Sequence, residues 1–219
     1  MNYNEWKSYY KMILREFNFS ERRDMESAEI LSALLGDNFI KLKELEKLIK
    51  GKNVIIIGDS PYFSIDPAML KGKLIITADD ATSRIFEIGF VPDIVFTDLD
   101  SNPEIIIEAS KKGSIIGVHA HGDNMERLKI VDKIEKRFGT TQAFPLWNVY
   151  NFGGFTDGDR AVFFADHFNA SSIILMGFNF YEPNTRKGKD FYKKFKKLLF
   201  SKYLLNELIK KSRTKIIIL

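Results

Sequence analysis

Six short runs, NVIIIGD, KLIITAD, DIVFTD, SIIGVHAH, TTQAF and SIILMGF, each lead β-branched or aromatic residues into a small or polar one, with helical stretches between them. Runs without a polar side must be covered on both faces, and their alternation with helices makes the sheet parallel. A last run, KIIIL, predicts an edge strand at the end of the sequence. The expected fold is therefore α/β, a mostly parallel Rossmann-like sheet in three layers. Residues 1–50 read as a helical region: one helix from about Glu5 to Phe17, a second opened by Ser20 and closed near Gly36, and a third closed by Gly51. Residues 51–219 form the α/β catalytic domain, including a C-terminal helix and the edge strand.

In open α/β sheets ligands bind beyond the carboxyl ends of the strands, so each run is read at its end. The ends are Gly58-Asp59-Ser60-Pro61, Ala78-Asp79-Asp80, Thr97-Asp98-Leu99-Asp100, His119-Ala120-His121-Gly122-Asp123-Asn124 and the loop after Phe144. Polar residues collect there, as a site along one sheet edge requires. Composition narrows its chemistry: the chain has no cysteine, so thiolate metal sites and cysteine nucleophiles are excluded. No window reads as a membrane span, and MNYNEWKSYY lacks the apolar core of a secretory signal, so a cytoplasmic protein is expected. Residues 186 to 215 carry 12 Lys and Arg against Asp190 and Glu207, a local +10 in a chain whose net charge is +4. Phe191, Phe195, Leu198, Leu199, Leu205, Leu208 and Ile209 recur there at helical spacing, which predicts a docked amphipathic helix with a solvated basic face. No nucleic-acid module accompanies it; steering of an anionic substrate is the better use of the charge.

Asp98 and Asp100 lie two apart, and at an extended strand end both project to one side, where two hard oxygen ligands suit magnesium. Asn102 and Pro103 look like a helix cap and first turn. The alternative is a pair of turn aspartates, weakened by Asp79 and Asp80 at the neighbouring strand end. In HAHGDN, His119, His121 and Asp123 stand at alternate positions, a metal-site or phosphate-site pattern that a structural role would also produce. His167, the third histidine, falls inside a helical run. NFGGFTDGDRA places Gly153 and Gly154 before a helix that Thr156 or Asp157 can cap, and Arg160 adds a planar cation suited to phosphate. Trp147, Tyr150 and Phe152 could stack a flat ring or pack a loop.

The ordered set IIIGDSP, ITADDA, VPDIVFTDLD, HAHGDN, GTTQ and NFGGFTDGDRA resembles the archaeal 6-hydroxymethyl-7,8-dihydropterin pyrophosphokinase family, relatives of thiamin pyrophosphokinase, from about Asn53 to Gly177. The resemblance implies transfer of diphosphate from ATP to a reduced pterin in pterin or folate-type cofactor biosynthesis, with Mg2+ and release of AMP. It makes Asp98, Asp100 and Asp123 metal ligands and, with Arg160, the catalytic set. Gly58, Ser60, Asp79, His119, His121, Asn124, Thr140, Thr141, Gln142, Gly153, Gly154 and Asp157 fall around substrate and nucleotide. Arg160 and the glycine-loop amides would stabilise the developing charge. Partners are then ATP and the pterin, without nucleic acid or membrane, and two copies could associate through the helical region. Two departures stand out: GDSPY replaces a GxGPS pattern, and Asp79-Asp80-Ala81 replaces DGA, so Asp59 and Asp80 add negative charge. Ser101 stands where the family usually has glycine and is similar to the thiamin enzymes, which keeps thiamin as an alternative acceptor. A nucleotide-sugar glycosyltransferase, a phosphatase with Asp98 as nucleophile, and a non-enzymatic nucleotide-binding module are the other readings.

Overall fold

The computed structural model describes residues 1–61, 64–184 and 190–219. Its strands are β1 (Asn53–Ile57), β2 (Leu74–Ala78), β3 (Ile94–Thr97), β4 (Ile115–Ala120), β5 (Arg137–Thr141), β6 (Val149–Tyr150), β7 (Ser172–Met176) and β8 (Lys215–Ile218). They form one sheet in the order β6-β5-β4-β3-β2-β1-β7-β8, parallel throughout. The helices are α1 (Tyr3–Phe17), α2 (Glu21–Leu35), α3 (Leu42–Ile49), α4 (Pro67–Leu70), α5 (Ala81–Glu87), α6 (Pro103–Lys111), α7 (Asp157–His167) and α8 (Phe191–Lys211). A 3-10 segment, Met125–Lys133, joins β4 to β5. The α/β sheet, its helical preface and the C-terminal helix are thus as the alternating pattern requires.

Alternation along each strand sorts the apolar residues between two faces. Val54 and Ile56 enter a core built with α1, α3, α7 and α8, whereas Ile55 and Ile57 enter another with α4 and α5. Val95, Ile116 and Val118 meet α2, α6 and the 3-10 segment on that second side. The helical preface therefore joins both layers. Trp6 of α1 is fully buried and its indole N–H donates to the Gln142 carbonyl at 2.8 Å; burying a side chain this large contributes roughly 2 to 3 kcal/mol. Local signals set the helix starts: Asn2 and Glu5 close a capping box on α1, Ser20 accepts from the Arg23 amide, and Asn102 accepts from the Glu104 amide ahead of Pro103.

Two strand boundaries differ from those the sequence pattern predicts. The fifth strand begins at Arg137, three residues before the TTQAF run; Arg137 is buried and donates from one terminal guanidinium nitrogen to the Ile134 carbonyl, so a charged residue takes an interior place that the apolar pattern does not show. PLWNVYNF contains the edge strand β6, only two residues long and too short to carry a period. The sheet order also creates a crevice: β1 lies beside β7, yet one chain continues toward β2 and the other toward β8. Loops diverge above such a pair, which leaves room for a ligand. Among the described residues no helix is long and apolar enough to cross a membrane.

Candidate active site

A cavity of about 470 Å³ opens at the carboxyl ends of the strands, within the roughly 300 to 1,000 Å³ of small-molecule sites. Gly58, Ser60, Asp79, Asp98, Asp100, His119, His121, Asp123, Gln142, Asp157 and Arg160 all line it. Gly58 sits where β1 and β7 separate, and a Cβ there would stand 2.7 Å from the Gly177 carbonyl oxygen, so only glycine lets the two loops approach. Asn124, Thr140, Thr141, Gly153 and Gly154 stand behind the wall rather than in it. Their contacts explain why.

The two aspartates of TDLD do converge, although not by projecting from an extended strand. β3 ends at Thr97, and Leu99 adopts a left-handed conformation with φ of 62°, which tightens the segment into a turn. The Asp100 amide donates to Asp98 Oδ1 at 3.0 Å, the hydrogen bond of an Asx turn. Leu99 is buried and its amide donates to Thr97 Oγ1 at 2.9 Å, which holds the unusual backbone in place. Asp79, itself at φ of 48°, accepts from Thr97 Oγ1 at 2.7 Å and Ser101 Oγ at 2.6 Å. Ser101 is therefore engaged in orienting a carboxylate of the cluster. Asp157, in the first turn of α7, completes the acidic wall.

Neighbouring carboxylates in this cavity push their proton affinities apart. Burial would raise Asp98, but the hydrogen bond and charge of His121, with Lys197 nearby, hold it down to about 2. Burial and the Asp98 charge push Asp79 up to about 6 against the pull of Ser101 and Thr97, and they raise Asp157 well above the usual carboxylate range. The sign for stability comes from linkage. A carboxylate raised on folding stabilises fully below pH 3.8 and loses that contribution as pH rises through about 6. Asp79→Asn keeps an oxygen for Thr97 and Ser101 without the charge, so in metal-free buffer its stability advantage over wild type grows between pH 4 and pH 7. Urea denaturation of both proteins across that window checks this; an advantage that shrinks with rising pH contradicts it.

HAHGDN is built around Asn124, which is buried and uses its whole amide. It donates to the Asp98 carbonyl at 2.8 Å and the His119 carbonyl at 2.6 Å, and accepts from the His121 amide and Ser27 Oγ. No capacity is left for substrate. His121 Nδ1 accepts from the Asp123 amide, so its Nε2–H donates to Asp98 Oδ2 at 3.3 Å. Thr140 Oγ1 donates to the Val118 carbonyl and therefore accepts from His119 Nδ1 at 3.2 Å. Burial and then Arg160 hold the His119 proton affinity well below its ordinary value, which makes this ring a neutral acceptor. Asp123 is exposed at the rim. Gly122 donates to Asp24 Oδ1 of α2 at 2.8 Å, and the same carboxylate takes Tyr10 and Gln142, each at 2.8 Å.

The glycine loop is a packing device. A Cβ on Gly154, at φ of 87°, would lie 2.4 Å from Arg160 Cα, and one on Gly153 would lie 2.6 Å from the Phe163 ring. The close backbone approach is to α7, not to a ligand. Amides expected to face phosphate are taken internally: Gly153 donates to Asn151, and Phe155 and Thr156 donate to Asp159. Arg160 gives its guanidinium to the Gly154 and Phe155 carbonyls, both at 3.1 Å, while its Nε–H finds no partner among the described residues. The amides of Gly153, Phe155 and Thr156 are thus engaged within the loop, while Asp157 and Gly158 of the first helical turn line the cavity. Trp147, Tyr150 and Phe152 do not line the cavity; Tyr150 and Phe152 are core residues and Trp147 lies against Phe39 at the surface.

Phe19, Phe155 and Phe178 supply the aromatic wall instead, and Lys193, Lys194 and Lys197 of α8 the basic one. The basic helix docks through Leu204, Leu205 and Leu208, whereas Phe191, Leu199 and Ile209 of the expected apolar stripe are exposed, and part of its lysine face turns inward. Asp59 meets Arg84 at 3.5 Å and Asn184 at 2.8 Å, so the charge added by GDSPY is compensated where it stands. Among the described residues no three His, Cys, Asp or Glu side chains form a metal-holding group by themselves.

Comparison with known proteins agrees with the resemblance drawn from the motifs. The 6-hydroxymethyl-7,8-dihydropterin pyrophosphokinase of Pyrococcus furiosus is 41% identical over 99% of this chain and 98% of its own length. Enzymes of the same name from Methanocaldococcus jannaschii and Methanothermobacter thermautotrophicus are 39% and 38% identical, covering 95% and 85% of this chain and 96% and 82% of theirs. A solved thiamine pyrophosphokinase from Bacillus subtilis aligns with a TM-score of 0.42 at 18% identity, over 77% of this chain and 60% of that one. A family model described as 6-hydroxymethylpterin diphosphokinase MptE-like matches residues 33–185, and the chain belongs to that family.

Proposed function

We propose that the protein transfers diphosphate from ATP to the hydroxymethyl group of 6-hydroxymethyl-7,8-dihydropterin and releases AMP. The observation that carries this reading is the convergence of Asp79, Asp98, Asp100 and Asp157 on one cavity opposite lysines of α8. The names of the relatives supply the acceptor class.

Asp98 and Asp100 fit a magnesium ion, with Asp123 at the rim as a further oxygen donor. Mg2+ commonly takes one or two carboxylates and completes its shell with water and substrate phosphates. Bound there, it would neutralise phosphate charge. The protein's own part is alignment. His121 keeps Asp98 ionised and aimed, Ser101 and Thr97 aim Asp79, and the aromatic wall of Phe19, Phe155 and Phe178 offers faces for a flat ring. The substrate hydroxyl oxygen attacks the β-phosphorus in line. The bond from that phosphorus to the oxygen bridging it to the α-phosphorus breaks, the bridging oxygen leaves with its electron pair on AMP, and one proton is released.

Purified protein given ATP, Mg2+ and hydroxymethyl-dihydropterin is expected to form AMP in proportion to diphosphorylated pterin, both read by chromatography. Thiamin in place of the pterin is expected to give no AMP above background. AMP with thiamin alone would transfer the reading to that acceptor; no AMP with either, alongside nucleotide-sugar binding, would favour the glycosyltransferase reading.

A further inference from the structure

The helix α8 lies wholly beyond residues 33–185, the part that matches the family model, yet it brings three lysines to the cavity. Their surroundings differ. Lys194 donates to the Asn184 carbonyl and so is tied to the loop after β7. Lys193 is exposed at the mouth, 5.5 Å from the Phe19 ring. Lys197 reaches inside: its ammonium lies 5.7 Å from both the Phe19 and the Phe155 ring and feels the charges of Asp98, Asp100 and Asp157. Among the described residues it closes no ion pair.

We infer that Lys197 is a phosphate-binding residue of this site, seated on non-bridging oxygens of the polyphosphate, with Lys193 extending the cationic wall toward the mouth. The inference rests on the proposed function and adds to the site a lysine from outside the family-matched segment. Two more cations line the cavity: Arg127 is exposed, and Arg160 gives its terminal guanidinium nitrogens to the carbonyls of Gly154 and Phe155. An ammonium is a compact charge with three donors, suited to several phosphate oxygens. Sunk between two rings it loses competing water, so its pull on an anion is stronger than that of a surface lysine. The Phe19 and Phe155 rings flank the ammonium, and Asp98, Asp100 and Asp157 line the same cavity. Burial lowers the proton affinity of Lys197 while the charges of Asp98, Asp100 and Asp157 oppose that shift, and its part is charge and position only.

Calorimetric titration with inorganic diphosphate and with ATP, each with Mg2+, tests this on the full chain. Lys197→Met keeps the packing against Phe19 and Phe155 and removes the charge. It is expected to weaken both anions by about 30-fold or more, leave pterin affinity unchanged, and raise the KM for ATP more than that for the pterin. Lys197→Arg is expected to recover most of the anion affinity. Wild-type anion affinity in Lys197→Met overturns the inference, as does parallel loss of pterin and anion binding in the Met and Arg variants, which would mark a packing role. A measurement on the native protein stands apart from variant folding: Mg-ATP is expected to slow amine-reagent labelling of Lys197 but not of Lys211, which is exposed at the far end of α8, and an unchanged Lys197 rate overturns it. If the wild type binds diphosphate through Lys197 yet forms no diphosphorylated pterin, the lysine assignment stands and the proposed reaction falls.

Discussion

Asp98→Asn and Asp100→Asn are each expected to lower metal-dependent AMP release by on the order of 10³-fold, the several kcal/mol that a metal-held charge contributes to such a transition state. Folding is expected to survive. Each change removes one negative charge that, after burial, helps to raise the proton affinities of Asp79 and Asp157, and Asp98→Asn also gives up the charged pairing with His121, so its expected cost is a lower melting temperature with the fold intact. The Asp98→Asn side chain retains an oxygen for the turn made by the Asp100 amide, and the Thr97 and Leu99 hydrogen bonds that shape the backbone do not involve it. The check is single-turnover AMP formation beside a thermal melt. Near-normal turnover in either variant would sink the metal assignment, and loss of folding would show that the pair is structural.

Asp24→Ala is the second large effect, and it falls on stability. The Asp24 carboxylate is buried and receives the Tyr10 hydroxyl, the Gln142 amide and the Gly122 N–H, joining α1, α2, the end of β5 and the HAHGDN turn at one point. Each orphaned buried donor costs about 1 to 3 kcal/mol, so the loss is expected to be about 4 kcal/mol, a large part of the roughly 5 to 15 kcal/mol that holds a domain folded. Asp24→Asn, which keeps one acceptor oxygen, should lose less. Urea denaturation measures both, and a loss below about 1 kcal/mol for alanine would falsify the hub.

Strand ends are legible in the sequence because a parallel sheet needs apolar runs and gathers the residues just beyond them at one edge. Asp98, Asp100, His119 and His121 stand out on that ground, even though the turn at Leu99, rather than an extended strand, brings the aspartates together. Sequence spacing cannot separate Asn124 from its neighbours, since its part is a bracket made visible only by four hydrogen bonds. Asp24 escapes notice for a similar reason: within a helix its position reads as a solvated one, and only the arrival of Gln142 and Gly122 from distant elements gives it partners. The lysines of α8 are plain in the sequence, but periodicity tells which residues share a face and not what that face meets. Paired glycines likewise show that a backbone is approached closely without saying by what; here it is Arg160 and Phe163.

One ring of the aromatic wall and the lysines of the cationic wall come from opposite ends of the sequence, with Phe19 between α1 and α2 and Lys193 and Lys197 on α8. Lysine ammonium groups lying over the Phe19 ring are the joint between them. An anion held by Lys197 thus fastens the last long helix to the first two, and occupancy should be felt as slower amide exchange in α1 and α8 together. Substrate is in this sense a clasp on the fold, closing the chain on itself across the sheet.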